Sequence, residues 1–503
     1  MYSGTIARGM DALNIVAIPG VGTPELYVES NNISCEGIAD APVVHAMAAR
    51  SYELLKKLEG WGVCFPKPGG RYETLRVHPK GEFLVSMKEP DLKVILARKA
   101  YELGCRVENR VATFKLLTDG GRVIGAVGLN IRTGEIVVCR AKTVILSCGG
   151  LARFSLPTSG YLYGVYDYPN NTGDGWVMAY EAGAAITGLE HTTCYCIIKD
   201  ISAPLLYITL TRGAKVLNGL GEELQDAHVT IKDLVQQYVD DKGPLFIRMQ
   251  HLSEAKIREI EDILFTTERP VMQRFFEDRG IDFRHSDIEL FNTEHFLCSG
   301  HGMAGLVVND RGETTVEGLY AAGDVACVPK GHLTGAFTYG EIAAESAVRY
   351  AASEEAGAVA SEQVKDAVDR VTRISDMHGP VSPHEFEYKV RRLITNYLIP
   401  PKNRQRLELG LQWMKHFREQ LPSMVNVSDI HWVSRVMEIE SIIETASLSA
   451  MASLERKESR WGFWHKRTDF PERDDENWVK HVVLERDGAG GTRVSYRQVE
   501  ALS

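Results

Sequence analysis

The sequence predicts an α/β protein that carries an inserted second domain and ends in a helical bundle. Three features point there. Apolar runs lead through glycines into helices three times, in "TVILSCGG" (143–150), "NTGDGWVMAYEAGAAI" (171–186) and "GLYAAGDVACVPKGHLTGAFTYGEIAAESA" (318–347). Between 196 and 295 the composition shifts to an apolar patch from Leu205 to Leu210 followed by charged stretches such as "SEAKIREIEDILF". From 353 onward apolar residues recur at helical spacing. The expected layout is an α/β domain in two parts (1–195 and 296–352), an α+β insert (196–295), a helical domain (353–457) and a C-terminal tail (458–503).

The elements follow in order. Thr23-Pro24-Glu25 opens a helix with a capping hydroxyl, a proline at the first helical position and an acid in the first turn. A second helix is expected to end at Gly60 and a third at Gly104. From 106 the apolar period falls to two. This predicts three strands, turning at Asp119-Gly120-Gly121 and at Thr133-Gly134. The last, "EIVVCRAKTVILSCGG", ends in a fully apolar run, as in a strand buried inside a sheet. "TTVEGLYAAGDVACV" is another strand ending at glycine. Ser382 and Glu385 form a capping box around Pro383. Apolar positions 407, 411, 414, 417 and 421, then 436, 439, 443 and 446, set two long helices. Residues 482–503 read as a hairpin around 488–491, with no assignable role.

Bulk properties narrow the function. A length of 503 residues suggests two to four domains at roughly 100–200 residues each. The net charge of −10 argues against a nucleic-acid partner, which demands basic density. No run approaches the roughly 18 apolar residues of a membrane helix, and no secretion signal is visible. No direct membrane span and a cytoplasmic setting are therefore expected. The nine cysteines include no CxxC, and only Cys194 and Cys196 are close. That spacing supports no zinc or iron–sulfur site and predicts reduced thiols.

The junctions carry the chemistry. Gly149 and Gly150 admit a close backbone or ligand. The turn Thr172-Gly173-Asp174-Gly175 is either an anion site at a helix N-terminus or an ordinary capped helix. At the third junction, Asp324 is placed to accept a hydrogen bond from a sugar or ribityl hydroxyl. The helix beyond Gly331 and Gly335 is rich in small residues (Ala343, Ala344, Ser346), which permits close packing under a ring system. "PGVGTPE" (19–25) lacks a third glycine and reads as a turn entering a helix.

On these residues the sequence resembles the flavoprotein subunits of the fumarate reductase, succinate dehydrogenase, L-aspartate oxidase and adenylylsulfate reductase superfamily. The adenylylsulfate reductase branch is nearest in pattern. The resemblance runs from residue 3 to about 481 and includes "ESR" and "RTDFPERDDENWVKH" within 458–481. It implies an FAD-binding, glutathione-reductase-like Rossmann variant. Carried over residue by residue, it places Ser3, Gly4, Gly149, Gly150, Thr172, Gly173, Asp174, Gly323, Asp324, Gly335, Ala336 and Phe337 toward FAD. Covalent members carry a histidine after the serine; here Gly4 follows Ser3, which implies non-covalent FAD.

The resemblance also bears on substrate. Dicarboxylate enzymes have a histidine where this chain has Tyr195 or Cys196. They have an arginine where it has Leu333 and Thr334. Loss of both clamps argues against succinate and fumarate. Arg212 in "LTRGAKVLNGLGEE" matches the family's proton-handling arginine, or else is a surface residue of the insert. His301 in "CSGHGMAGLVV" is an acid/base or anion donor, or a backbone-bonded loop histidine. His332 is implied to lie near the flavin. His465 could reach the site too, with Trp461 and Trp464 as stacking surfaces or as core. An anionic small-molecule substrate and an iron–sulfur, ferredoxin-like subunit or other electron carrier are implied as partners.

One expected part is missing. The family's GxGxxG βαβ unit should precede "SGTIARGMDALN" by about 30 residues. Its absence predicts a truncated FAD domain with an unpaired apolar strand edge. Three origins are compatible: a true start upstream of Met1, which is favoured; a separate polypeptide; or a decayed paralogue. The rival functional reading is a non-catalytic fragment that needs another chain or upstream sequence to bind FAD.

Overall fold

The computed structural model describes residues 3–8, 12–157, 167–201, 206–224, 231–268, 271–460 and 464–502. Met1, Leu205 and Trp461, singled out above, lie outside them. The chain starts with β1 (Ala12–Asn14), α1 (Pro24–Ser34), α2 (Ala41–Gly60), β2 (Thr74–Leu75), β3 (Leu84–Ser86) and α3 (Leu92–Glu102). Thr23 caps α1 through its side chain, which accepts from Leu26 N. "PGVGTPE" is the turn before this helix. Gly22 is required there because a Cβ would lie 2.7 Å from Val16 O and 2.8 Å from the Phe83 ring.

Next come β4 (Val111–Asp119), β5 (Arg122–Asn130), β6 (Ile136–Arg140), β7 (Val144–Leu146), α4 (Asp174–Glu181) and β8 (Ile186–Thr187). The expected single strand over 135–150 is two. β6 closes the antiparallel order β4-β5-β6, whereas β7 pairs in parallel with β14 (Leu319–Ala321), a partner far along the chain. The expectation that this apolar run is fully buried is also corrected. Ile145 is 37% exposed, because among the described residues β14 is the only strand paired with β7.

The insert holds β9 (Cys196–Ile198), α5 (Leu206–Leu210), β10 (Lys215–Leu217), α6 (Ile231–Val239), β11 (Leu245–Arg248), α7 (Glu254–Asp262), α8 (Val271–Glu277) and β12 (Ile288–Asn292). Its sheet runs β10-β11-β12-β9, antiparallel throughout. It has its own buried core, from Cys196 and Ile198 to Leu290. Burial of each such aliphatic side chain is worth roughly 1.5–3 kcal/mol.

The chain then returns through β13 (Gly305–Leu306), β14 and α9 (His332–Ser353). Helices α10 (Ser361–Ser375), α11 (Pro383–Tyr397), α12 (Arg404–Met424) and α13 (Ile430–Glu455) follow. The capping box at Ser382 and Glu385 is formed on both sides. The tail folds as α14 (Asp475–Trp478) and a hairpin of β15 (Lys480–Arg486) and β16 (Thr492–Gln498). β15 adds to β8, giving the sheet β13-β8-β15-β16. The hairpin therefore ties the C-terminus into the main body.

That tie is reinforced by buried charge. Glu458 takes both Arg456 and Arg460, at 2.8 and 2.6 Å, and accepts from Asp474 N. Arg456 also pairs with Glu190 at 2.8 Å. Lys402 Nζ donates to Glu190 O and to Ser453 Oγ. Much of the 458–481 stretch is thus an ionic clamp.

Candidate active site

In open parallel sheets ligands bind beyond the carboxyl ends of the strands. Here those ends are the loops after β7 and β14, and the 298–304 loop and the N-terminal segment converge on them. The 298–304 loop crosses Asp324. Its Gly300 backbone hydrogen-bonds the Asp324 carboxylate, and a Cβ on Gly300 would lie 2.3 Å from Asp324 Oδ1. Only glycine fits there. Ser299 Oγ donates to Gly323 O. The 323–335 loop is pinned from outside by Trp176 Nε1 to Val325 O, Asn31 Nδ2 to Pro329 O and Thr334 Oγ1 to Asn14 O.

Asp324 is half-buried at the loop junction. Burial, and then the negative charge of Asp167, push its carboxyl up to about 7. Thr5 Oγ1 donates to Asp167, so the N-terminal segment lies beside this acid pair. Next to Thr5, Gly4 has φ +96° and, among the described residues, nothing within 4 Å of where a Cβ would sit. Backbone conformation, not crowding, favours glycine there.

A cluster of histidines stands on the same loops. His301 and His332 meet edge to face at 4.8 Å. Tyr195 Oη lies 2.5 Å from His301 Nδ1. Lys330 N donates to Ser299 O and Gly302 O, and His332 N to Gly300 O. Lys330 and His332 both have positive φ, +50° and +49°, a strained conformation for residues with side chains. Burial, then the Lys330 charge, push His301 down to about 4; the same causes push His78 down to about 4. Burial, with His301, His78 and Lys330, holds His332 well below its ordinary value. The imidazoles are therefore neutral at working pH beside one ammonium group.

The other expected residues divide. Gly323 (φ +75°) approaches Ala336 Cβ within 3.4 Å of a would-be Cβ, and Gly335 approaches Met47 Sδ; these line the loop and the start of α9. Phe337 packs on the core under β1, α2 and β3. Gly149 and Gly150 are needed for contacts inside the protein: Cβ atoms there would lie 2.4 Å from Asn171 Nδ2 and 2.3 Å from Leu297 O. Thr172 Oγ1 donates to Asp174 Oδ2 at 2.6 Å, and Gly173 (φ +82°) faces Thr445 on α13. That first turn has its own acid, as in a capped helix. Ser3 is exposed beside Gly4.

Arg212 is buried and bonds within the insert, to Glu259 Oε1 at 2.7 Å and Ile208 O at 3.0 Å. His465 sits in the clamp rather than on these loops: its ring nitrogens face Glu190 O and Arg456 O. Trp464 is core. Two residues of the site escape the sequence pattern. Lys330 lies just upstream of Leu333 and Thr334, where the family carries its cation, and Gly300 is needed by Asp324. Their sequence signals were "PKGH" and "CSGHG".

Comparison with known proteins shows the type of protein. An FAD binding domain matches residues 8–196, and the fumarate reductase flavoprotein C-terminal domain matches residues 387–502. The chain is thus a flavoprotein with the domains of the fumarate reductase/succinate dehydrogenase flavoproteins. As a flavoprotein it binds FAD. It is similar to the L-aspartate oxidase of Bacillus subtilis, at 29% identity over 452 residues, 85% of this chain and 76% of that one. It is similar to one chain of the fumarate reductase (CoM/CoB) of Methanothermobacter marburgensis, at 24% identity over 92% of this chain and 86% of the other. The fold matches adenylylsulfate reductase from Archaeoglobus fulgidus with a TM-score of 0.87 at 24% identity, covering 100% of this chain and 90% of that one. Among the described residues, no helix of this flavoprotein is long and apolar enough to cross a membrane.

The ribityl and ring half of FAD fits what the loops offer. A carboxylate stands at the strand ends, glycines at 323 and 335 keep the approach low, and no described residue crowds Gly4.

Proposed function

We propose that this flavoprotein is an FAD-dependent oxidoreductase that passes an electron pair between non-covalent FAD and a small anionic substrate. The observation that supports it is the convergence of Asp324, His301, His332 and Lys330 on the loops beyond β7 and β14. Bound FAD supplies hydride chemistry at its ring nitrogen. Asp324 holds a ribityl hydroxyl. Lys330 meets the anionic end of the substrate, because the guanidinium of Arg212 is taken by Glu259. The neutral imidazoles of His301 and His332 hold or deliver the substrate proton.

The pyrophosphate half of FAD calls for a dinucleotide βαβ unit. The edge of β7, with Ile145 exposed, fits the strand of such a unit. An iron–sulfur protein as separate electron carrier and a cytoplasmic setting are proposed on the family resemblance and the free thiols.

Acid precipitation of the purified, FAD-saturated protein tests the reading. Flavin released intact into the supernatant, with reoxidation of the reduced protein by an anionic acceptor, supports it. A protein that retains no flavin, or that releases none on precipitation, contradicts it.

A further inference from the structure

The two segments that carry the chain into and out of the insert pair with each other at Tyr195. Tyr195 N donates to Thr293 Oγ1 at 2.9 Å, Thr293 N donates to Tyr195 O at 2.8 Å, and Thr193 bridges Phe296. The Tyr195 ring stacks on Phe296, with centroids 6.3 Å apart and planes 16° apart. Backbone and ring are both fixed, so the phenol oxygen is delivered to one place. That place is His301 Nδ1, 2.5 Å away, with the two rings edge to face at 4.8 Å.

We propose that Tyr195 is a positioning residue for His301: its O–H donates to Nδ1 and locks the imidazole as the Nε2–H tautomer. The tautomer of a neutral histidine is set by the hydrogen bond its other nitrogen makes. A phenol is a strong neutral donor, and an unprotonated imidazole nitrogen is a strong neutral acceptor. In the reverse arrangement the Nδ1–H would meet a phenol oxygen, a weaker acceptor than an imidazole nitrogen. His301 is not doubly protonated at working pH, since burial and Lys330 hold it down to about 4. Among the groups facing it are Tyr195 from the domain junction and His332 and Lys330 from the 330–335 loop, with Cys298 Sγ accepting from the His301 backbone N–H.

The consequence rests on the proposed function. A locked Nε2–H makes His301 a donor toward the substrate side. Because Tyr195 is rooted where the insert joins the body, that donor is set by the domain junction itself.

The test is long-range 15N–1H NMR of the full-length protein labelled with 15N-histidine, with His301 assigned by loss of its signals in H301Q. Wild type at pH 7 should show an unprotonated Nδ1 and a protonated Nε2. Y195F should shift both nitrogens toward the average of a tautomer mixture. A protonated Nδ1 in wild type overturns the proposal, as does an unchanged His301 in Y195F. The wild-type spectrum decides the tautomer alone, so a poorly folded Y195F leaves no gap. None of these signals requires turnover. Flavin retention, read separately by visible absorbance, reports on the proposed function.

Discussion

Two regions bury ionisable side chains in quantity, and they are built on opposite plans. In the C-terminal clamp, Glu190 and Glu458 stand against Arg456 and Arg460, and hydrogen bonds fill most remaining valences. Around His301 and His332, burial and the Lys330 charge act in the same direction, and both rings are held neutral. Burial of the clamp's carboxylates is met by opposite charge, whereas burial of the two imidazoles at the site is met by loss of charge. Compensated charge holds structure together; neutralised imidazoles beside an ammonium suit a site that moves a proton. The strained φ at Lys330 and His332 adds to the contrast, because such strain clusters where function needs it.

The largest effect that separates the plans is E458Q. It leaves two buried arginines facing a neutral amide, and removal of one partner from a buried pair costs about 3–5 kcal/mol. Chemical denaturation should show that loss while His301 titrates as before. A loss below about 1 kcal/mol would place the clamp with ordinary surface pairs.

An effect of similar size is the pH dependence of stability from Lys402, buried in the clamp with Glu190 and Arg467 as charged neighbours. Burial lowers its pKa from 10.5 to about 7. The unfolded chain therefore holds the extra proton between those values, and stability rises with pH across that window. The penalty of the buried ammonium is fully present below the lower value. K402M should flatten the slope between pH 7 and 10; an unchanged slope would assign it elsewhere.

The smallest effect is K330M at the site. Removing the ammonium should raise the titration of His301 and His78 from about 4 toward the ordinary value, read by NMR, with a smaller change in denaturation midpoint than E458Q. An unmoved His301 would show that burial alone keeps it neutral.

Much of the fold was legible because its signals are local. The Thr23 cap, the Ser382–Glu385 box and the spacing of α12 and α13 need only neighbours in sequence. The break between β6 and β7 was not, because it is decided by β14, whose Leu319 pairs with Val144. The site was legible in part. Asp324, His301 and His332 stood out beside glycines. Lys330 did not, since the family pattern puts its cation at Leu333 and Thr334, and the positive φ values that turn this loop leave no mark on residue type. The clamp was hidden for a like reason. "ERKESR" looks like a solvated charge run, and its partner Glu190 lies 266 positions from Arg456.

The central claim is that FAD is held at the loop junction built on Asp324. The measurement is a titration of the protein with FAD, followed by flavin fluorescence, for wild type and D324A. The account predicts saturable binding by wild type and at least a tenfold weaker dissociation constant in D324A, about 1.4 kcal/mol, with the denaturation midpoint little changed. Equal affinity in the two proteins would contradict it.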